Sequence, residues 1–320
     1  MNRIILLAAA AAAATLVSCH REPAGNRPVE VTVTVCGAGT SRATDVLYSD
    51  ESKVNNLQVY VFNEGRLEDY RDAGAAMTVQ LAATSGTRTV WALVNAPALS
   101  GISTEEQLKK TVTRLSDNAR NSFVMTGSTT QELVDGGSVP VTVRRIVSRI
   151  SIGRITRSFQ YGLADATLKV DAVYLINVAG DNTLAGGTPE SWVNRLKHAD
   201  AAYDNLLYDK VGATVGNSSP HTVEHVFYPY PNPVEKNSRE ATWTPRHTML
   251  VIEVTLDGQK GYYPVELPVL ERNKSYVVEE VILKHRPGDV PYKPVETGDA
   301  TVRIAVNDWE TGLNLGTLTL

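Results

Sequence analysis

His221-Thr222-Val223-Glu224-His225 is the one stretch of this chain whose residue types and spacing match a catalytic pattern. It has the order H-x-x-E-H of the inverted zinc proteases. That chemistry needs a helix, which brings both histidines onto one face to chelate one metal. The flanks oppose a helix. Pro220 precedes the motif, Thr222 and Val223 favour extended backbone, and the proline-dense run Phe227-Tyr228-Pro229-Tyr230-Pro231-Asn232-Pro233 follows. In a strand the histidines would lie ~13 Å apart, at about 3.3 Å per residue, too far to share one zinc. A histidine pair in a loop or strand is expected, not a metalloprotease.

Other catalytic patterns are missing. There is no G-x-S-x-G elbow, P-loop, dinucleotide fingerprint or CxxC pair. Gly37-Ala38-Gly39 lacks the third glycine and the following helix of a nucleotide site. Asp and Glu are scattered without calcium-loop spacing. No catalytic residue, metal or cofactor is expected. Tyr228, Tyr230 and Trp243 could form an aromatic sugar platform, or cover the edge of a sandwich. Arg144, Arg145 and Arg149 read as a solvated basic face near a domain junction, or as partners of acidic residues across a subunit interface.

Chemistry of another kind sits near the N-terminus. Residues 1–18 read as a targeting segment, with Asn2-Arg3 before an alanine-rich apolar run from Ile4 to Val17. Leu16-Val17-Ser18-Cys19 then reads as a lipobox, cut before Cys19 and acylated on it; the alternative is ordinary secretion with a free thiol. Several acyl chains anchor stably where one would not. The remaining cysteine is Cys36, so an acylated Cys19 leaves no intramolecular disulfide and folding must rest on apolar burial. Hydrophobic residues make up 42% of the 320, which suffices for two domains. The net charge of −4 argues against nucleic acid or an anionic membrane surface as partner.

The elements that position these residues read as short strands separated by turns. Strands are expected at Val54–Phe62, Met77–Leu81, Thr89–Val94, Val139–Val143, Val147–Ile155, Thr167–Val178, Thr248–Leu256, Tyr262–Leu267, Ser275–Leu283, Ala300–Val306 and Leu313–Leu320. Ser103-Thr104-Glu105-Glu106 reads as a capping box opening a helix from Thr104 to Leu115. Thr188-Pro189 predicts a second helix from Pro189 to His198. Residues 209–247 read as a long loop, and Asp257–Gly261 as a hairpin turn. The fold class is all-β, of sandwich type, with a few short helices. The expected organisation is a signal peptide (1–18), a lipidated propeptide (19–42), an N-terminal domain (43–145) and a C-terminal domain (146–320).

The two ends look like complementary parts. Val29, Val31, Val33 and Val35 share one face of an unbroken alternation, with Glu30, Thr32 and Thr34 on the other. Burying each valine is worth about 1.5–2 kcal/mol. Removing this strand would leave an apolar groove with unpaired ladder groups. Gly37-Ala38-Gly39-Thr40-Ser41-Arg42 supplies the extended, accessible backbone a protease needs. At the other end Val302, Ile304 and Val306 line one face, followed by Leu313, Leu315, Leu318 and Leu320, with a shift at Gly316-Thr317. This terminal strand either docks in its own domain or fills a neighbour's groove by strand addition. The latter contact is head-to-tail and propagates a fibre.

The chain resembles the type V pilins, the fimbrillins of the Bacteroidia, and most of all their major fimbrial subunit. The resemblance rests on the lipobox at Cys19, Thr40-Ser41-Arg42-Ala43, Asp50-Glu51-Ser52-Lys53-Val54 and the strand Leu57–Asn63. It rests also on Arg88–Asn95, Arg145-Ile146-Val147-Ser148-Arg149-Ile150, Tyr262-Tyr263-Pro264-Val265, Arg272-Asn273-Lys274-Ser275-Tyr276 and Val306-Asn307-Asp308-Trp309. It implies two transthyretin-like Greek-key β-sandwich domains. It also implies export as an outer-membrane lipoprotein, cleavage between Arg42 and Ala43 by an arginine-specific surface protease, and donation of the C-terminal strand to the next subunit. Cleavage removes four arginines against two glutamates, so the mature chain is more acidic than the precursor. The implied partners are other copies of the chain, anchor and tip subunits, and host or bacterial surface ligands. The implied location is the outer membrane first and an extracellular fimbrium afterwards. A tip or minor adhesin subunit, or a standalone lipoprotein that binds glycans or host protein, is the alternative.

Overall fold

The computed structural model describes residues 27–37, 50–160, 162–237, 242–293, 300–309 and 318–319. Cys19, Arg42, Ala43, Leu313, Leu315 and Leu320 lie outside them. The first group of strands is β1 (Pro28–Cys36), β2 (Leu57–Asn63), β3 (Arg66–Asp72), β4 (Thr78–Thr84) and β5 (Gly86–Val94). Helix α1 (Glu105–Lys110) follows, then β6 (Val112–Arg114), β7 (Met125–Leu133), β8 (Gly137–Thr142) and β9 (Arg144–Arg145). Two sheets result, one of order β4-β1-β8 and one of order β3-β2-β5-β7-β9.

The second group is β10 (Arg149–Ile152), β11 (Ile155–Arg157), β12 (Leu168–Ile176), β13 (Val178–Ala179), β14 (Asp181–Thr183) and β15 (Trp192–Val193). After α2 (Asp204–Leu207) come β16 (Tyr208–Val215), β17 (His225–Phe227), β18 (Met249–Leu256), β19 (Gln259–Glu266), β20 (Lys274–Leu283), β21 (Ala300–Asp308) and β22 (Leu318–Thr319). They form a sheet of order β17-β10-β20-β21-β22, with β11 also on β20, and a sheet of order β16-β12-β18-β19. Pairing of β14 with β6 ties the two groups together. The all-β expectation is borne out, with two short α-helices among the described residues.

The strands form where one face is apolar. In β1 the four valines are buried and Glu30 is exposed. In β2 and β5 the run of apolar residues fills the core continuously, as in a strand covered on both faces. Tight turns join neighbours where the left-handed region is occupied. Glu64 and Gly65 have φ of 48° and 78°, and Asp257 and Gly258 have 49° and 83°. The second turn closes Leu256 directly onto Gln259, shorter than the five-residue turn expected.

Three expectations are corrected. Thr104 rather than Ser103 caps α1, with Gln107 rather than Glu106 returning the bond, and the helix ends at Lys110 because Val112–Arg114 extends to pair with β14. Pro189–His198 is not a helix: Trp192–Val193 pairs with β13, and Asn194 and Leu196 take positive φ. Residues 209–247 are not one loop, since β16 lines the edge of a sheet and β17 pairs with β10.

Gly127 shows how closely the chain approaches itself as it leaves the five-stranded sheet. It lies opposite Ala92 on β5, and a methyl group there would overlap the carbonyl oxygen of Thr142 and sit 3.0 Å from Val143 Cα. Both obstacles are backbone and cannot rotate away. Gly127→Ala should destabilise the protein by about 1–3 kcal/mol, read as a lower midpoint in urea unfolding. An unchanged midpoint would show that β7 and the end of β8 are not held this close.

Candidate functional site

The first β-strand is seated as an interior strand. It runs antiparallel to β4 from Pro28–Thr84 to Thr34–Thr78, and parallel to β8 from Val31–Gly137 to Cys36–Thr142. Both ends are fastened. Arg27 N–H donates to Ser85 Oγ (3.1 Å) and Ser85 N–H to Arg27 O (2.8 Å). Glu30 N–H donates to Asp135 Oδ1 at 3.0 Å, and Val143 N–H to Cys36 O at 3.0 Å. Val29, Val31, Val33 and Val35 are 6%, 1%, 0% and 2% exposed. The Cys36 thiol is exposed and free.

At the other end β21 belongs to its own sheet. Val302 pairs with Val281, Ile304 with Val278 and Val306 with Tyr276 on β20, and Ile304 is buried. Leu318 pairs with Ile304 and Thr319 with Arg303, antiparallel to β21.

Between these ends lies a polar node. Arg145 and Arg149 are 3% and 7% exposed, so the solvated-face reading does not hold for them; only Arg144 is exposed. Their partner within the chain is Glu51, which is itself buried. Glu51 Oε1 accepts from Tyr228 O–H (2.6 Å) and Arg149 Nε (3.2 Å), and Oε2 accepts from Trp309 Nε1 (2.9 Å). Arg145 donates to Glu51 O (3.2 Å) and Ser52 Oγ (2.8 Å), and its guanidinium lies 4.4 Å from the Trp309 ring centre. Burial works against charge on Arg149, but the Glu51 carboxylate, with Tyr228 and Glu224, outweighs it and holds the pKa above its ordinary value. Burial and then Glu51 raise the Tyr228 hydroxyl, keeping it a neutral donor.

Tyr228 and Tyr230 are fully buried, which removes them from a sugar platform. Tyr230 is held by Thr113, Asn118 and Arg114, across the two groups of strands. Trp243 packs against Trp192 instead, with the Arg195 guanidinium 4.1 Å from its ring centre.

The histidine pair departs from expectation. It is not helical, but His221 Nε2 and His225 Nε2 are 2.8 Å apart and the rings stack. His221 bridges to Ile155 and His225 pairs with Ile152, so five residues of one strand oppose four of its neighbour. That extra residue is a bulge, which re-aims the two rings toward each other. His225 Nδ1 donates to Asp209 Oδ2 at 3.0 Å, so its Nε2 is left to accept from His221. Among the described residues no three His, Cys, Asp or Glu side chains are arranged to hold a metal ion. Glu224 points to Arg149, 3.7 Å away.

Residues 28–152 match the model of the family described as major fimbrial subunit protein (FimA), which spans β1 through β10. No curated protein matches the chain in sequence. The fold is that of several solved structures. A provisionally described cell adhesion protein from Bacteroides eggerthii superposes with a TM-score of 0.67 at 18% identity, covering 89% of this chain and 97% of that one. A fimbrilin from Porphyromonas gingivalis gives 0.63 at 15% identity, covering 88% and 97%. The tip fimbrial protein Mfa3 of the same organism, with a C-terminal truncation, gives 0.55 at 15% identity, covering 88% and 100%. The matching family is one of fimbrial structural subunits, a non-enzymatic class.

Burial, then the neighbouring His225, lowers the pKa of His221 below its ordinary 6.5. The unfolded chain therefore takes up a proton near pH 6.5 that the folded chain resists. The stability this pair contributes is complete above pH 6.5 and is lost as the pH falls below it. Thermal midpoints should drop between pH 7 and pH 5, and His221→Gln should flatten that drop. Parallel profiles for the two proteins would remove the pair as the cause.

Proposed function

We propose that this chain is a structural subunit of a cell-surface fimbria, exported as a lipoprotein acylated on Cys19 and matured by cleavage between Arg42 and Ala43. An arginine-specific surface protease then releases residues 1–42, including β1, and the vacated groove accepts the C-terminal tail of the next subunit. The product is a head-to-tail polymer outside the outer membrane, capped by anchor and tip subunits and able to support adhesion to host or bacterial surfaces.

One observation carries this reading: β1 is an interior strand joined to the rest of the domain through the segment that holds Arg42. A strand so placed has two sets of ladder partners and four filled side-chain sites. Its loss would leave β4 and β8 about 10 Å apart, twice the spacing of neighbouring strands, which is the width one incoming strand fills. The tail beyond Trp309 is the donated segment in this scheme. Val302, Ile304 and Val306, paired with β20, serve as its resident root.

Arg42→Ala should leave the precursor folded and monomeric, and mature protein from the wild-type surface should begin at Ala43. SDS-resistant ladders formed by Arg42→Ala would refute the processing step. Deleting Leu313–Leu320 should give a stable subunit that is processed but does not elongate, scored by electron microscopy. Fibres of ordinary length from that truncation would refute donation by the tail.

A further inference from the structure

We infer that Trp309 and Glu51 form a pin that fixes where the C-terminal arm begins to separate from its own subunit. The inference rests on the polymer reading for its purpose, though the pin itself is a property of the single chain. The tail pairs with β21 through Leu318 and Thr319, and β21 pairs with β20 from Ala300 to Asp308 with a register shift at Arg303. Nothing in the ladders alone would stop peeling from running on from the tail into β21.

Trp309 is where it stops. Its indole N–H donates to Glu51 Oε2 at 2.9 Å, and its backbone N–H to Asn273 O at 3.2 Å. Its ring is stacked on Tyr228 (5.9 Å), edge-on to Phe123 (5.6 Å) and 4.4 Å from the Arg145 guanidinium. Lifting Trp309 would take a donor from a buried carboxylate and uncover the face of a buried cation. Each loss costs an equilibrium about an order of magnitude. Tyr228 and Arg149 hold Glu51 from the other side, so the carboxylate cannot follow the ring.

The position of the pin suits both ends of the chain. Glu51 lies beyond the proposed cut at Arg42, so processing leaves the pin whole. Residues 310–320 lie beyond it at the other end, and extend to about 36 Å. The nine residues of β1 extend to about 30 Å. An arm that includes residues 310–320 is therefore long enough to cover a vacated groove. The pin fixes the point at which the arm leaves its own subunit, and with it where the neighbour's groove can be seated.

Hydrogen exchange on the full exported chain tests the pin without reference to polymers. In the wild type the amides of 301–308 should exchange as slowly as those of β20. Trp309→Ala should speed them about tenfold or more, with β12 and β18 unchanged. Trp309→Phe, which keeps the ring and loses the N–H, should fall between, and Glu51→Gln, which keeps an acceptor oxygen, should lie nearer the wild type than Glu51→Ala. Unaltered protection of β21 in Trp309→Ala overturns the pin, as does a loss spread equally over β12 and β18. Fibres give the second reading: one axial repeat from wild-type subunits and a broadened repeat from Trp309→Ala. An equally sharp repeat means that the pin does not set the spacing. If the wild type forms no fibres, the polymer reading fails, and the exchange measurement still decides the pin.

Discussion

The N-terminal half of this molecule depends on there being a strand between β4 and β8. The four buried valines of β1 contribute about 6–8 kcal/mol by apolar burial, comparable with the whole net stability of an ordinary domain. The gap cannot close by sliding the neighbours together. β4 passes into β5 around Ser85, and β8 follows β7 after a short turn, so both walls are continuous with the opposite sheet. The walls are held apart by their own connections. The sandwich therefore either keeps β1, exposes an apolar slot, or takes another strand.

Charge plays a second part at the junction. Arg145, Arg149 and Glu51 are withdrawn from water, which costs more than a simple ion pair returns unless every donor and acceptor is used. Here they are used. Glu51 takes three side-chain donors from Arg149, Tyr228 and Trp309, and Arg145 reaches a carbonyl, a hydroxyl and an aromatic face. These groups come from five places along the chain. The node thus fixes how Glu51, the junction arginines, Tyr228 and Trp309 are placed relative to one another.

Strands rich in apolar residues were legible from sequence: Val29–Val35 with one apolar face, and Leu57–Phe62 and Met249–Leu256 buried along most of their length. β7 was not. Thr126-Gly127-Ser128-Thr129-Thr130-Gln131-Glu132 carries almost no apolar signal, and it is a strand because β5 offers it nine successive partners. β16 escaped notice for a related reason: it is a half-exposed edge, broken by Gly212 at φ 69° and by a register shift on β12. The false helix at Pro189–His198 followed local propensity, which the pairing of Trp192–Val193 overrode. At the junction the arginines were visible, but their partner was not. Glu51 and Trp309 are 258 residues apart, and only the fold brings them into one hydrogen bond. The histidine motif was read correctly as unhelical, but the separation of its rings was misjudged, because the one-residue slip between Ile152/His225 and Ile155/His221 brings them together.

The polarity of the slot adds a constraint on whatever fills it. β1 is antiparallel to β4 and parallel to β8, so those two walls run opposite to each other. A strand entering in either direction would find one parallel and one antiparallel neighbour. Backbone hydrogen bonding therefore discriminates direction only weakly, since the two ladder types differ little per residue. Direction must come from elsewhere. If the tail is the strand that enters, side chains supply part of it: the valine sites repeat every two residues, whereas the tail keeps that repeat at Leu313–Leu315 and again at Leu318–Leu320, with one extra residue between. Such a break fits in one direction at a defined place along the slot, and leucines in valine-sized sites penalise any misplacement. The rest comes from the point of entry. In the proposed polymer an arm whose root is held by Trp309 would reach the slot from the end nearest that root, so a rigid root would select the direction that the ladders leave open.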